Sequence, residues 1–265
     1  MTFRFPVGPS YGRCNICGEQ GKLTANHVPP QGWAKGIALR VASIADTISG
    51  DKHPPSYKMP NGVHFRTLCR RCNGALMSPF DKALISMCNQ VAALLRDPGK
   101  VTFYQSIRVK PQLVARGILG HMCSVGLNRY DETHSRHLFD SASDLLRQVR
   151  LHYWVYPYGG RTVLRDFALC NIALSKSAAI YIIKSYPLAF AMVWDRGFSF
   201  ENWQPRSFDS FADAAPEDEV DLPVDFVGLP GQLWPEYVQG NMFAAMHSDG
   251  VFVATAKRPR RYLQK

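Results

Sequence analysis

Apolar residues recur at helical spacing in one stretch of the first hundred residues. Intervals of four, four, three and four separate Phe80, Leu84, Cys88, Val91 and Leu95. This spacing places the side chains on one buried helical stripe. Before it, "SPFD" from residue 78 offers an N-cap serine, a first-turn proline and a capping acid, Asp81, while "RDPG" ends the pattern. We therefore predict a helix over residues 78–97.

Further along, the pattern alternates between helix-like and strand-like stretches. The run "VTFYQSIRV" predicts a strand, the run from Pro111 to Gly126 predicts a helix, and "SASDLLRQVR" predicts another helix. Three or four strands are expected between Leu151 and Trp194, with "YPYGGR" as a hairpin turn. An acidic loop over residues 209–223 then leads to a last strand pair in "MFAAMHSDGVFVATA".

Short, irregular elements are predicted for the first sixty residues. "CNICGEQGK" has glycines at turn positions, and "LTANHV" continues as a strand that ends at two prolines. The stretch 31–63 predicts an irregular excursion with one short helix near Val41 to Ile48, and "VHFRTL" predicts a returning strand. Taken together, the elements predict an α+β fold with an antiparallel sheet. We expect two domains, residues 1–97 and 98–265.

Composition is that of an ordinary globular protein. Of the 265 residues, 46% are apolar and 20% are charged, which suffices for a core without covalent cross-links. The first ten residues lack the apolar run of a signal peptide. The most apolar window, Ala178 to Trp194, is short for a membrane span and is interrupted by Lys184 and Pro187. We therefore expect a cytoplasmic protein with no transmembrane segment and with two buried strands in this window.

Positive charge is concentrated in the first part of the chain. Residues 1–150 contain 20 Lys and Arg against 9 Asp and Glu, whereas residues 151–265 contain 11 against 12. A basic surface suits a polyanionic partner, because neutralisation of phosphates releases counterions. The charge pattern favours nucleic acid as a partner, although many basic proteins bind none.

Two C-x-x-C pairs supply the most specific pattern. Cys14 and Cys17 form the first pair and Cys69 and Cys72 the second, with 51 residues between the pairs. Four thiolates from two tight turns make a closed tetrahedral zinc site, and the long intervening segment costs little because loop-closure entropy grows only logarithmically. We therefore predict a structural Zn²⁺ site. The other cysteines are predicted to be core residues: Cys88, Cys123 and Cys170.

The polar residues beside these pairs extend the pattern. "CNIC", "NHVPP" and "CRRCN" occur in this order within residues 11–97, and a predicted helix follows the last of them. In these motifs the segment resembles the HNH endonucleases, in the subfamily whose ββα-metal module is held by a four-cysteine zinc. The resemblance implies such a module at the N-terminus. The α+β domain that follows would then position substrate, bind a protein partner or a second copy, or regulate cleavage.

The resemblance also implies roles for single residues. His27 matches the general base, and Asn26 and Asn73 match positions that hold one divalent cation, Mg²⁺ or Mn²⁺. A histidine with a pKa near 6.5 is largely neutral at pH 7 and can accept a proton from the attacking water. Many relatives carry Asp, Glu or His where this chain has Asn26, so its cation site contains two neutral amides where hard cations prefer charged oxygens.

Three arginines and one histidine near the second cysteine pair complete the set of candidates. Arg66, Arg70 and Arg71 suit phosphate binding through charge-assisted hydrogen bonds. His64 is expected only at the surface or in a loop. The resemblance implies metal-dependent hydrolysis of phosphodiester bonds and favours DNA over RNA as the substrate, with RNA left open. Such modules occur in phage defence, mobile elements, restriction and recombination, and the sequence does not select among these settings. The neutral Asn26 keeps a second hypothesis open, a non-catalytic zinc-knuckle module that binds nucleic acid or a protein.

Overall fold

The computed structural model describes residues 7–33, 39–43, 56–59, 63–97, 99, 104–159, 161–171, 176–198, 200, 205–232, 234–235 and 242–256. Of these, 104, 165–171, 176–177 and 242–256 are described by their backbone alone. Over these ranges α-helices combine with antiparallel sheets, which confirms the predicted α+β class.

The strands follow one another along the whole chain. They are β1 (Tyr11–Arg13), β2 (Gln20–His27), β3 (Leu39–Ser43), β4 (Ser56–Met59), β5 (His64–Cys69), β6 (Tyr104–Val109), β7 (Arg150–Val155), β8 (Arg161–Asn171), β9 (Lys176–Ser185), β10 (Leu188–Val193), β11 (Arg206–Ser207), β12 (Val220–Asp225) and β13 (Met242–Ala256). The α-helices are α1 (Met77–Arg96), α2 (Pro111–Ser124), α3 (Glu132–Phe139) and α4 (Leu145–Gln148). A π-helical turn, Arg71–Leu76, precedes α1, and a 3₁₀ turn covers Asp209–Phe211.

Three antiparallel sheets contain all these strands. A small sheet has the order β1-β2-β5, a large one has the order β11-β7-β10-β9-β8-β13-β3-β4, and β12 pairs with β6. Strand β10 is buried on both faces, as expected for the interior of a large sheet. Successive side chains alternate between two cores: Leu188, Phe190 and Met192 belong to the main core, and Ala189, Ala191 and Val193 belong to the second.

Strands β2 and β5 pair directly beside the second cysteine pair. Their register places Leu23 opposite Cys69 and His27 opposite His64, and a bulge in β5 leaves Thr67 without an opposite residue. Strand β5 leads into the π-helical turn and α1. Two antiparallel strands followed by a helix therefore lie where the ββα module was predicted, and its assignment as an HNH module stays a prediction.

One hydrophobic core extends across the predicted domain boundary at residue 97. Phe65 and Leu84, from before the boundary, are buried in the same cluster as Ile118 and Phe190. Helix α1 packs closely on α2 at Gly117, where an added Cβ would lie 2.6 Å from a methyl carbon of Leu84. The division into two domains stays a prediction, and the two parts share their main core.

Helix α1 does not begin at the predicted N-cap, Ser78. The π-helical turn runs directly into the helix, so Ser78 and Pro79 lie inside it. Asp81 therefore caps nothing, and its Oδ1 lies 2.8 Å from Nε2 of the buried His121 on α2. Cys72 is both a residue of the π-helical turn and a member of the sulfur cluster. The continuous helical segment therefore begins at the second cysteine pair, before Ser78.

The excursion after β2 was predicted wrongly where the structure describes it. Residues 39–43, expected to lead into a short helix, form β3, which pairs with β4 and with the distant β13. The rest of that predicted helix, residues 44–48, lies outside the described residues. The pairing partner of β3 is about two hundred positions away, so the local pattern does not reveal it.

Other boundaries differ less. The helix expected in residues 141–150 is confined to α4, helix α3 was not predicted, and the acidic loop 209–223 contains a 3₁₀ turn and the start of β12. The last strand pair is one strand, β13, with an irregular register between Met246 and Val251. The predicted strands between Leu151 and Trp194 are confirmed as β7 to β10. No helix in the described ranges is long and apolar enough to cross a membrane.

Candidate functional site

The two cysteine pairs converge on one point. Ligand sulfurs of Cys14, Cys17, Cys69 and Cys72 all lie within 4.8 Å of one another. A tetrahedral zinc with Zn–S bonds of about 2.3 Å separates its sulfurs by about 3.8 Å, and Cys17 Sγ lies 3.8 Å from Cys69 Sγ. The four cysteines can therefore hold a metal ion such as zinc. Among the described residues, no other group of three or more His, Cys, Asp or Glu side chains has this property.

Local turns orient the sulfurs. In the first knuckle the backbone N–H of Gly18 donates to the carbonyl of Cys14 at 2.9 Å, and Gly18 has a φ of +75° that suits glycine. The second knuckle joins the end of β5 to the π-helical turn. The N–H of Cys69 lies 3.3 Å from Cys14 Sγ, so each knuckle contacts the other. A metal here would tie β1, β2, β5 and α1 together.

The thiols influence one another strongly. A hydrogen bond from Cys72 lowers the pKa of Cys14 to about 4, and the same bond raises the pKa of Cys72 well above its usual range. Burial raises the pKa of Cys17 to about 11. Without a cation, the cluster therefore favours a thiolate at Cys14 beside neutral thiols at Cys17 and Cys72. A bound cation would offset the repulsion between further thiolates, which is why metal binding releases protons from such sites.

A second group of polar side chains lies on the outer face of the strand pair. Residues directly opposite each other in an antiparallel pair share a face, as do alternate residues of one strand. His27 lies opposite His64, and Ala25 lies opposite Arg66. The rings of His27 and His64 are 5.7 Å apart between centroids, and these side chains and Arg66 are half-buried. We name His27, His64 and Arg66 the histidine face.

Asn26 lies on the opposite, inner face of β2. It is only 4% exposed, and its Nδ2 donates to Ser124 Oγ at the end of α2 at 2.8 Å. Thr67 lies beside it and donates from Oγ1 to the carbonyl of Ser124 at 2.8 Å. The neighbourhood of Asn26 is therefore a packing contact between β2 and α2, and its predicted role as a cation ligand stays a prediction.

Asn73 is hydrogen-bonded to the strand that carries His27. Its Nδ2 donates to Thr24 Oγ1 and to the carbonyl of Ala25, both at 2.9 Å. These bonds attach the π-helical turn to β2 within two residues of His27. The structure thus attaches Asn73 to the strand that carries the predicted general base, although 45 residues separate it from His27 in the sequence.

The other two arginines lie beyond the end of β5. Arg70 is exposed. Arg71 is exposed too, forms an ion pair with Glu19 at 3.6 Å, and lies over the ring of Phe139 with its guanidinium carbon 5.4 Å from the centroid. Such exposed contacts contribute little to stability, so Arg71 can exchange them for a phosphate. Arg66 differs from both because it shares a face with His27.

Sequence reasoning missed two residues that matter for this site. His64 was expected at an unspecified surface position, and its place opposite His27 follows from the register of β2 and β5. No sequence pattern singles out Asn15, yet it is only 1% exposed, and its side chain donates a hydrogen bond to a carbonyl at the end of α2. Its position between the first two cysteines marks it as part of the knuckle. The register depends on the bulge at Thr67, which no pattern in the sequence indicates.

Comparisons with protein-family models, with curated proteins and with solved structures gave no match. The remaining cysteines fit their predictions where the side chains are described. Cys88 and Cys123 are buried, and burial raises the pKa of both thiols. The side chain of Cys170 lies outside the described residues.

Proposed function

We propose that the protein is a metal-dependent endonuclease of the HNH type that hydrolyses phosphodiester bonds in DNA. The observation that carries the proposal is the histidine face: two imidazoles and a guanidinium share one half-buried face of the strand pair, on which Nε2 of His27 is itself buried. General bases and phosphate ligands are the groups that phosphodiester hydrolysis requires. Because the described cysteines are free thiols, we assign the protein to a reducing compartment, the cytoplasm.

In the proposed reaction His27 accepts a proton from the water that attacks the phosphorus. The bond from phosphorus to the leaving sugar oxygen breaks as the new bond forms, and that oxygen takes a proton from solvent. Arg66 binds a non-bridging oxygen and offsets the charge that increases there in the transition state. His64, on the same face, donates a hydrogen bond to the phosphate when its ring carries the proton. Asn73 contributes by holding the π-helical turn against β2, which limits the movement of the strand that carries His27.

The sulfur cluster acts as a structural Zn²⁺ site in this proposal. Its four ligands leave no open position for water, so zinc contributes to folding and not to the reaction itself. Structural zinc sites contribute on the order of 10 kcal/mol in small modules. That free energy would fix β2, β5 and the π-helical turn relative to one another.

The described residues offer fewer ligands for the catalytic cation than for the structural zinc. Asn73 has an Oδ1 that makes no hydrogen bond with the described residues, so it is available as a ligand, whereas the amide of Asn26 is buried against Ser124. We therefore assign Asn26 a packing role. When bound, Mg²⁺ or Mn²⁺ would supply charge stabilisation for the leaving oxygen, and the remaining ligands would have to be substrate oxygens and water.

A plasmid-nicking assay tests the proposal. In Mg²⁺ or Mn²⁺ the wild type should nick supercoiled DNA, and His27→Ala should reduce the rate by about 10²–10⁴-fold, the usual contribution of a general base. His64→Ala is the matched control, because it removes the neighbouring imidazole from the same face and should retain more activity. Unchanged zinc content and circular dichroism would show that both variants are folded. Equal rates for wild type and His27→Ala would refute the assignment.

One observation favours a second candidate function, a zinc-knuckle module that binds nucleic acid without cleaving it. The described residues around the histidine face supply no carboxylate, and hard cations prefer carboxylates. The same experiment separates the candidates. If wild type and His27→Ala both bind DNA with the same salt dependence and neither nicks it in any divalent metal, the binding module is correct.

A further inference from the structure

A cleft of about 640 Å³ lies beside the start of α1, and its lining includes no residue of the histidine face. Apolar side chains from the π-helical turn and from three α-helices form its walls: Leu76, Phe80, Ala83, Leu113, Leu138 and Phe139. Ligand-binding clefts of soluble proteins span roughly 300–1,000 Å³ and combine apolar walls with a few polar groups. The volume and the walls of this cleft fit a small organic molecule.

Arg116 lines the same cleft and is 2% exposed. Its Nη2 donates to the carbonyl of Ser141 at 2.7 Å, and its buried Nε has no hydrogen-bond partner among the described residues. Within the described ranges no carboxylate lies at ion-pair distance, although the more distant Asp140 acts on the guanidinium electrostatically. A buried guanidinium without a paired anion is costly. An anion bound in the cleft would supply the missing partner.

The charges at the cleft's edge are largely balanced. Lys110 pairs with Glu217 at 3.5 Å, and Arg108 lies 3.9 Å from Glu219. These four side chains are at the rim and offset one another. Lys82 adds an exposed positive charge to the lining, and Arg116 is the buried cation of the cleft.

We propose that this cleft binds a small organic anion, with an aromatic or aliphatic body between the apolar walls and a carboxylate or phosphate group on Arg116. Arginine recognises both groups through paired hydrogen bonds. The proposal concerns a site that the nuclease proposal does not use. Either proposal can fail without the other.

Isothermal titration calorimetry with model ligands tests the proposal. Naphthalene-2-carboxylate and 2-naphthyl phosphate carry the two anionic groups on one aromatic body, and naphthalene-2-carboxamide is the neutral analogue. At least one of the anions should bind the full-length protein, and the amide should bind at least about tenfold more weakly, as expected for the loss of one charge-assisted hydrogen bond. The tighter of the two anions identifies the group that the site prefers. Equal affinity for the amide, or no binding of either anion at 5 mM, roughly the weakest affinity this method resolves, would overturn the proposal.

Three variants locate the binding. Arg116→Met should abolish the preference for the anion while keeping or raising the melting temperature, because it removes a buried charge. Ala83→Phe should block binding sterically with Arg116 intact. Arg147→Met, which removes an exposed arginine outside the cleft, should bind as the wild type does. Retained anion preference in a folded Arg116→Met protein would overturn the proposal.

Discussion

The buried histidine His152 makes the stability of the protein depend on pH, and His134 and His137, whose pKa burial also lowers, act in the same direction. His152 is 3% exposed on β7, its Nδ1 lies 3.2 Å from the carbonyl oxygen of Pro205, and its ring packs edge-on against Phe200. Burial lowers the pKa of His152 from 6.5 to about 4, because the charged form would lose its hydration. The folded protein thus keeps this imidazole neutral where the unfolded chain already binds a proton.

This difference predicts a loss of stability in acid. The contribution of His152 is complete above pH 6.5 and decreases as the pH falls towards 4, since only the unfolded state takes up the proton. Between pH 7 and pH 5 the free energy of unfolding should fall by about 2 kcal/mol from this residue alone.

Urea unfolding at the two pH values measures this effect. His152→Gln should show a pH dependence smaller by that amount than the wild type, whereas Asn89→Ala, a change at an exposed residue without a titratable group, should keep the wild-type dependence. The same pH dependence in wild type and His152→Gln would contradict the account.

At the scale of single residues, the sequence predicts which side chains form a metal site better than it predicts which face of a strand a side chain occupies. The spacing of the cysteines was enough to predict their cluster, because two short knuckles can present their sulfurs only within a tight turn. The sequence did not separate Asn26 from His27, although the two side chains point to opposite faces of β2. The bulge at Thr67 sets which residues of β5 face His27, and a one-residue shift would exchange the faces.

At the scale of elements, the C-terminal end of α2 connects the cysteine knuckle to the rest of the protein. The last carbonyls of a helix need partners from outside it. Asn15 donates from Nδ2 to the carbonyls of Cys123 and Gly126, both at 2.9 Å, and accepts a hydrogen bond from the N–H of Arg129 at 3.0 Å. One side chain in the knuckle therefore satisfies three backbone groups.

Removal of that side chain should destabilise the protein. Asn15→Ala removes the hydrogen bonds of this side chain to two buried carbonyls and to one N–H, which should lower the free energy of unfolding by about 2–4 kcal/mol. Asn89→Ala, at an exposed position of α1, is the matched control and should change stability by less than about 0.5 kcal/mol. Urea denaturation of the zinc-loaded proteins measures both values. A change at Asn15 no larger than the change at Asn89 would mean that the knuckle does not depend on α2.

The sequence predicted the apolar stripe of α1 correctly, but it predicted the first residue of that helix wrongly. The stripe from Phe80 to Leu95 lies on α1 as expected. The capping pattern at Ser78 was misleading, because the cluster at Cys72 already imposes a helical turn before that residue. Local propensity is overridden here by a contact with residues more than fifty positions earlier.

At the scale of the whole molecule, the segments before and after residue 97 are interleaved. Strand β3, from the excursion between the cysteine pairs, adds to the large sheet through β13, and α1 shares the main core with α2 and β10. Such pairings join residues distant in sequence, and no local pattern encodes them. The α+β class was predictable from the order of strand-like and helix-like stretches, whereas the assembly of the large sheet was not.

In the proposed account, one metal ion bound by the four sulfurs fixes the strands that carry the histidine face and the π-helical turn that carries Asn73. X-ray absorption at the zinc edge of the purified protein tests this directly. The account predicts one zinc per chain with four sulfur neighbours at about 2.3 Å, loss of that zinc in Cys69→Ser, and its retention in Cys88→Ala, where the removed thiol is buried elsewhere in α1. A zinc bound through nitrogen or oxygen, or equal zinc content in wild type and Cys69→Ser, would contradict it.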